Sequence, residues 1–253
     1  MGNLIKFTAT KLQAKGKTGI IKPDAEGYYD LVIGALNSFN SAGEYYTLEG
    51  AKQLFESSSN FMLRVKNGYL KGELGHPKML PGMTMNDYVR RILTIDEKNI
   101  STHFKEIWLD HDYCKQNPQS SGNMVAIRAK LKPAGPQGPY LKQSLEDPND
   151  NVSFSIRALT KDYVARGQTF RVLTNIVTWD QVAAPGIAVA NKWDSPATES
   201  FENIPITEQS LRTFIREHTS IAAMESSVQM AEEILTTLTD NRSVGKKPLY
   251  SKW

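Results

Sequence analysis

Apolar and polar residues alternate most strictly over residues 151–160 (NVSFSIRALT). Val152, Phe154, Ile156 and Ala158 fall on one side, Ser153, Ser155, Arg157 and Leu159 on the other. Such period-two alternation predicts a strand with two unlike faces, one apolar and one carrying two hydroxyls and a guanidinium. Residues 4–12 and 169–178 read as strands too, the second closed by Trp179, Asp180 and, soon after, Pro185. Residues 103–109 and 123–131 alternate as half-buried strands do, joined by a polar connection at 110–122, and the short run 61–65 predicts another strand. Helical spacing appears at 47–57, where Leu48, Ala51, Leu54 and Phe55 share a face behind Thr47, and again at 84–93, 140–146 and 207–240.

Between these elements lie segments with turn chemistry. Residues 13–27, the KPAGPQGP stretch at 132–139 and the connection 193–205 are rich in Gly, Pro and polar residues, and the last eight residues read as a frayed tail. No internal repeat is present. Five or six strands with short connections and a few helices, without regular strand–helix alternation, predict an α+β protein on an antiparallel sheet or barrel.

Composition adds mainly exclusions. A chain of 253 residues can bury a core without cross-links, and its single cysteine, Cys114, rules out an intrachain disulfide and a Cys-rich zinc site. The first residues lack the apolar stretch of a signal peptide, and no window supplies the ~18 apolar residues of a spanning helix, so neither secretion nor a membrane is expected. With 30 Lys and Arg against 27 Asp and Glu, the excess of positive charge is too small to argue for nucleic acid. Phosphate-binding glycine loops and the GxSxG elbow are absent from the sequence.

Three constellations carry candidate chemistry. His76 sits in GELGHP, where Gly72 and Gly75 permit unusual backbone and Pro77 stiffens the exit, holding an imidazole for general-base work; a surface turn that contains a histidine is the plainer reading. Ser153 and Ser155 become nucleophiles only with a base in reach, and Arg157 beside them suits an oxyanion-side water or a substrate carboxylate, or a simple salt bridge. Residues 110–114 (DHDYC) pack carboxylates, an imidazole and a thiol together; a metal-assisted hydrolase around His103, His111 and Asp112 is the corresponding reading, ranked below a polar turn.

GELGHP at 72–77, ISTHFKEIWL at 100–109, the helix after KPAGPQGP, VSFSIRAL at 152–159 and TFRVLTNIVTWDQVAAPG at 169–186 occur in an order that resembles the prohead core proteases of tailed bacteriophages. Those are distantly similar to herpesvirus assemblin. The resemblance covers roughly residues 61–190. It implies an antiparallel β-barrel flanked by helices, with a protease domain at 1–193 and a linker and helical C-terminal region at 194–253. It also implies a serine endopeptidase acting in the host cytoplasm inside the assembling procapsid. Its substrates would be scaffold or core proteins, the major capsid protein and itself, with no cofactor, metal, nucleic acid or membrane; self-association of the chain stays open.

By the same resemblance His76 matches the catalytic histidine and Ser155 the nucleophile, with Ser153 as alternate. Asp180 is the third member, with His103 and Glu73 as alternates, and an exposed Arg157 would suit a Glu-directed pocket. Family members cut after Glu with a small residue two places earlier, a pattern met by Ala197-Thr198-Glu199, Ser200-Phe201-Glu202 and Ala223-Met224-Glu225. The alternative is a non-catalytic β-barrel capsid or tail assembly protein, in which His76 and Ser155 would lie far apart.

Overall fold

The computed structural model describes residues 5–12, 21–40, 42–116, 122–183, 187, 204–206, 208–219 and 225–243. In chain order they form β1 (Ile5–Leu12), β2 (Tyr29–Leu36), β3 (Ser38–Phe39), β4 (Tyr45–Tyr46), α1 (Leu48–Ala51) with a 3₁₀ turn behind it, α2 (Asn60–Lys66), β5 (Lys71–Glu73) and α3 (Met85–Leu93). There follow β6 (Ile100–Asp110), α4 (Tyr113–Gln116), β7 (Val125–Pro133), α5 (Gly138–Glu146), β8 (Ser153–Ala165), β9 (Gln168–Val182), β10 (Ile204–Ile206), α6 (Glu208–His218) and α7 (Glu225–Ser243).

The strands make two sheets, ordered β10-β1-β8-β9-β4-β3 and β2-β7-β6-β5. Their facing sides share one core, to which Leu31 and Ile33 of β2, Phe104 and Ile107 of β6, Phe154 and Ile156 of β8, and Trp179 of β9 all contribute. Helices close its margins through Phe61 and Val65 of α2 and Leu141 and Leu145 of α5. A second cluster lies on the outer face of the larger sheet, where Leu159 and Val177 meet Val89 and Leu93 of α3, Leu211 and Phe214 of α6, and Ile234 of α7. The arrangement is therefore small sheet, core, large sheet, helical layer.

The expected barrel is not formed: among the described residues the sheets stay open and separate, meeting at one corner through a parallel bridge of Leu74 to Gln181. Nor is the pairing wholly antiparallel, since β4 runs parallel to β9. Alternation cannot separate the two architectures, because a barrel wall and a sandwich sheet both bury one face per strand. Residues 61–65 are helical, not extended. Ser59 caps that helix by accepting a hydrogen bond from the Met62 amide at 3.1 Å, and a short apolar run fits either geometry until its cap is taken into account.

Strands β8 and β9 form a hairpin whose turn residues Arg166 and Gly167 have φ of 51° and 74°, the pair of positive values that a type I′ turn needs. From that turn the register would set Ser155 opposite Thr178. Two one-residue irregularities, between Arg157 and Ala158 and between Leu159 and Thr160, advance β9 by two residues, so Ser155 faces Asp180. Two bulges restore the alternation of faces while changing the partner, a use of bulges common beside functional sites. Strand β9 also runs on past Asp180 to Val182 instead of ending before it.

Candidate active site

The hydroxyl–guanidinium face of β8 is not a solvent face. Every residue from Ser153 to Thr160 is buried, because α3 and the segment leaving β5 lie over the polar side. Strand β5 approaches β9 closely enough that a Cβ on Gly72 would lie 2.2 Å from the Trp179 carbonyl oxygen. Thr178 Oγ1 donates to the Lys71 carbonyl at 2.5 Å, and the Gly75 amide donates to the Gln181 carbonyl at 2.7 Å. Gly75 takes φ of 79°, a value that costs a side-chain-bearing residue strain, and so turns the chain to present His76. Both glycines of GELGHP thus have a structural reason, one of space and one of dihedral angle.

His76 Nδ1 lies 2.8 Å from Asp180 Oδ2, and Nε2 lies 2.5 Å from Ser155 Oγ. Ser155 and Asp180 are fully buried, whereas the His76 side chain is 16% exposed. Burial alone would push the Asp180 carboxyl up. The charge of Arg157, with the hydrogen bond from His76, outweighs burial and holds its pKa below the ordinary 3.8. An ionised carboxylate only accepts, so Nδ1–H donates to Asp180, and Nε2 is left to accept from the Ser155 hydroxyl.

Arg157 is fully buried, which corrects the expectation of an exposed residue waiting for a substrate carboxylate. Its Nε donates to Asp180 Oδ2 at 2.8 Å and Nη2 to Asp180 Oδ1 at 2.7 Å. Nη2 also lies 3.0 Å from Glu73 Oε1, and Nη1 donates to the Thr94 carbonyl at 3.0 Å. Burial lowers the guanidinium pKa, yet Asp180 and Glu73 together hold it above the ordinary value. Glu73 in turn pairs with Arg91 of α3 and accepts from the Asp96 amide at 2.9 Å, while its own amide donates to Asp180 Oδ1 at 3.1 Å. Two carboxylates and two guanidiniums alternate through the site, so each buried charge has a partner of opposite sign.

The remaining candidates lie apart. Ser153 shares the face of Ser155, but its Oγ, also buried, has no hydrogen-bond partner among the described residues. His103 Nδ1 is 3.4 Å from the Tyr28 hydroxyl, and burial with the nearby Lys71 and Lys132 pushes its pKa down. Asp112 pairs with Lys115, and among the described residues no three His, Cys, Asp or Glu side chains are placed to hold a metal ion. The tripeptides ending at Glu199 and Glu202 lie outside the described residues, as do Ala223 and Met224; Glu225 begins α7. Arg91 escapes sequence reasoning altogether. It follows Arg90, which makes an exposed ion pair with Asp87, and nothing local distinguishes the two.

Because the folded pKa of Asp180 is depressed, its contribution to stability is complete above about pH 3.8 and is lost as pH falls through the folded value. Calorimetry should therefore find Asp180→Asn less stable than wild type at pH 6, by a difference in Tm that shrinks below that threshold. A constant difference down the acid range would contradict the ion-pair account.

A two-sheet α+β frame holding a serine, a histidine and an aspartate in hydrogen-bonded series is an arrangement met among hydrolases. The family model of the peptidase S80 family matches residues 7–236, and the chain belongs to that family. It is 34% identical over 246 residues to the capsid maturation protease of Pseudomonas phage phiKZ, covering 94% of this chain and 87% of that protein. The structure of the bacteriophage T4 capsid assembly protease superposes with a TM-score of 0.47 at 16% identity, over 70% of this chain and 98% of that one. Among the described residues no helix is long and apolar enough to cross a membrane.

Proposed function

We propose that this peptidase is a serine endopeptidase of phage procapsid maturation, with Ser155 as nucleophile, His76 as general base and acid, and Asp180 as the carboxylate that orients His76. The observation that carries this reading is the continuous pair of hydrogen bonds from Asp180 through His76 to Ser155. In the first step Ser155 Oγ bonds to the substrate carbonyl carbon as its proton passes to His76 Nε2. The tetrahedral adduct collapses as Nε2 returns that proton to the departing amine, leaving an acyl-enzyme. Water, deprotonated by the same nitrogen, then releases the acid and restores the serine. Asp180 keeps its negative charge throughout and stabilises the imidazolium.

Arg157 then has a role different from oxyanion or substrate binding: with Glu73 behind it, it positions and ionises Asp180. The substrates in this reading are the capsid protein, scaffold or core proteins and the chain itself, cut after Glu within the assembling procapsid. The phiKZ relative's name supports the setting. The preference for Glu rests on the phage-protease resemblance and on the small-x-Glu tripeptides in this sequence. Intact mass spectrometry after incubation at high concentration should show trimming after Glu199, Glu202 or Glu225, absent in Ser155→Ala and retained in Ser153→Ala. Trimming that survives Ser155→Ala would remove Ser155 from the mechanism.

A further inference from the structure

Strands β5, β6 and β7 set three basic side chains in one row: Lys71 pairs with His103, and His103 with Lys132, in the register of the small sheet. His103 and Lys132 alternate with Phe104 and Leu131, which belong to the core, so the row lies on the outer face. Like charges directly across strands destabilise a sheet. Burial and the charge of Lys132 lower the pKa of Lys71, and burial with both lysines lowers that of His103. The lysines next to the row are balanced, Lys105 by Glu26 and Lys130 by Glu106 at 3.8 Å. Among the described residues, neither Lys71 nor Lys132 has a carboxylate within ion-pair distance. Buried Tyr28 supports the row, its ring centroid 4.5 Å from Lys132 Nζ and its hydroxyl 3.4 Å from His103 Nδ1. Positive charge held against its own repulsion and left without a counterion marks a place for an anion.

Building on the serine-peptidase reading, we propose that Lys71 and Lys132, flanking His103, dock an acidic segment of the substrate polypeptide on the outer face of the small sheet, away from the cleaved bond. Neighbouring strands lie ~4.8 Å apart, so the two lysines stand about 10 Å apart and can close on one carboxylate from both sides or hold two. The row is short and bordered by Glu26 and Glu106. Those carboxylates oppose a continuous phosphodiester chain, yet leave room for one or two acidic side chains, which is why the occupant is a polypeptide and not a nucleic acid. Strand β5 runs from Lys71 into the segment that carries His76, five positions on. That is at most ~17 Å of chain, so a polypeptide held at the row keeps its cleavable part within reach at raised effective concentration.

Hexaglutamate carrying a fluorophore, titrated with the full chain bearing Ser155→Ala, reads the docking by anisotropy without cleavage. It should bind at low ionic strength, more weakly as salt is added, and about tenfold more weakly to Lys71→Gln/Lys132→Gln in the same background. Lys115→Gln, which changes an exposed lysine of α4 beyond the far end of β6, should leave binding unchanged. The Tm of the double variant should hold or rise, because repulsion across the strands is relieved. With the active chain, a cleavable peptide joined to hexaglutamate through about ten Gly and Ser residues, a mean span of ~17 Å, should show a KM several-fold below that of the peptide alone. The double variant should lose that difference at unchanged kcat. Absence of hexaglutamate binding, binding undiminished in the double variant, or no KM advantage would each overturn the docking site. Tighter binding of oligothymidylate, lost in the same variant, would overturn the acidic polypeptide in favour of nucleic acid. The binding measurement needs no catalysis, so a failure of the serine-peptidase reading would appear separately, as cleavage that survives Ser155→Ala.

Discussion

Ser155→Ala and His76→Ala should each lower the rate of peptide-bond cleavage by about ten-thousandfold or more, and combining them should cost little beyond either alone. Groups that act as one unit lose their joint contribution when any member is removed. Among the described residues the base hydrogen-bonded to Ser155 is His76 Nε2, at 2.5 Å, and without His76 the serine is an ordinary hydroxyl. The fold should survive both changes. With His76 gone, Asp180 still accepts from Arg157 and from the Glu73 amide, so no buried charge is left alone. Kinetics on a cleaved peptide with thermal melting alongside check this; a rate reduced only a few-fold at unchanged Tm would point to a different nucleophile.

Arg157→Met should lower the stability of the folded state markedly. It leaves Asp180 and Glu73 as buried carboxylates without the guanidinium between them, although Arg91 still pairs with Glu73. Breaking a buried pair by removing one partner costs about 3–5 kcal/mol. For a chain of this size that lowers Tm by roughly 6–20 °C. Adding Asp180→Asn should recover part of the stability, since the lone charge is gone, though not activity. The pH dependence separates positioning from oxyanion binding. Without the Arg157 charge, Asp180 takes up a proton at higher pH, so the acid limb of the pH–rate profile moves toward neutrality. An oxyanion donor would lower the rate at every pH and leave the limb in place. Arg157→Lys, which keeps the charge but not the fork, should restore most of the limb's position and only part of the Tm.

How far the sequence carried depended on whether the signal was local. Strands β6 to β9 and helix α3 were legible because one face of each is apolar, and Thr84 caps α3 by accepting from the Asp87 amide at 3.1 Å. Strand β2 carries no such local signal: a bulge between Val32 and Gly34 breaks its period, and most of it is buried on both faces. His76 and Ser155 were marked by neighbouring residues, the glycines of GELGHP and the Ser-x-Arg spacing. That Asp180 is placed against His76 is not a local matter, because it depends on two bulges that set the register of β9. The burial of Arg157 was equally hidden. Alternation gives the side of the strand a residue occupies, and only tertiary packing decides that α3 and β5 cover it with Glu73 as counterion.

The central claim is that Ser155, activated through His76, is the nucleophile. A fluorophosphonate reacts covalently with such a serine, and peptide mapping by mass spectrometry locates the adduct. The account predicts one adduct, on Ser155, present in wild type and Ser153→Ala and lost in His76→Ala and Ser155→Ala. An adduct on Ser153, or labelling of Ser155 that persists undiminished in His76→Ala, would contradict it.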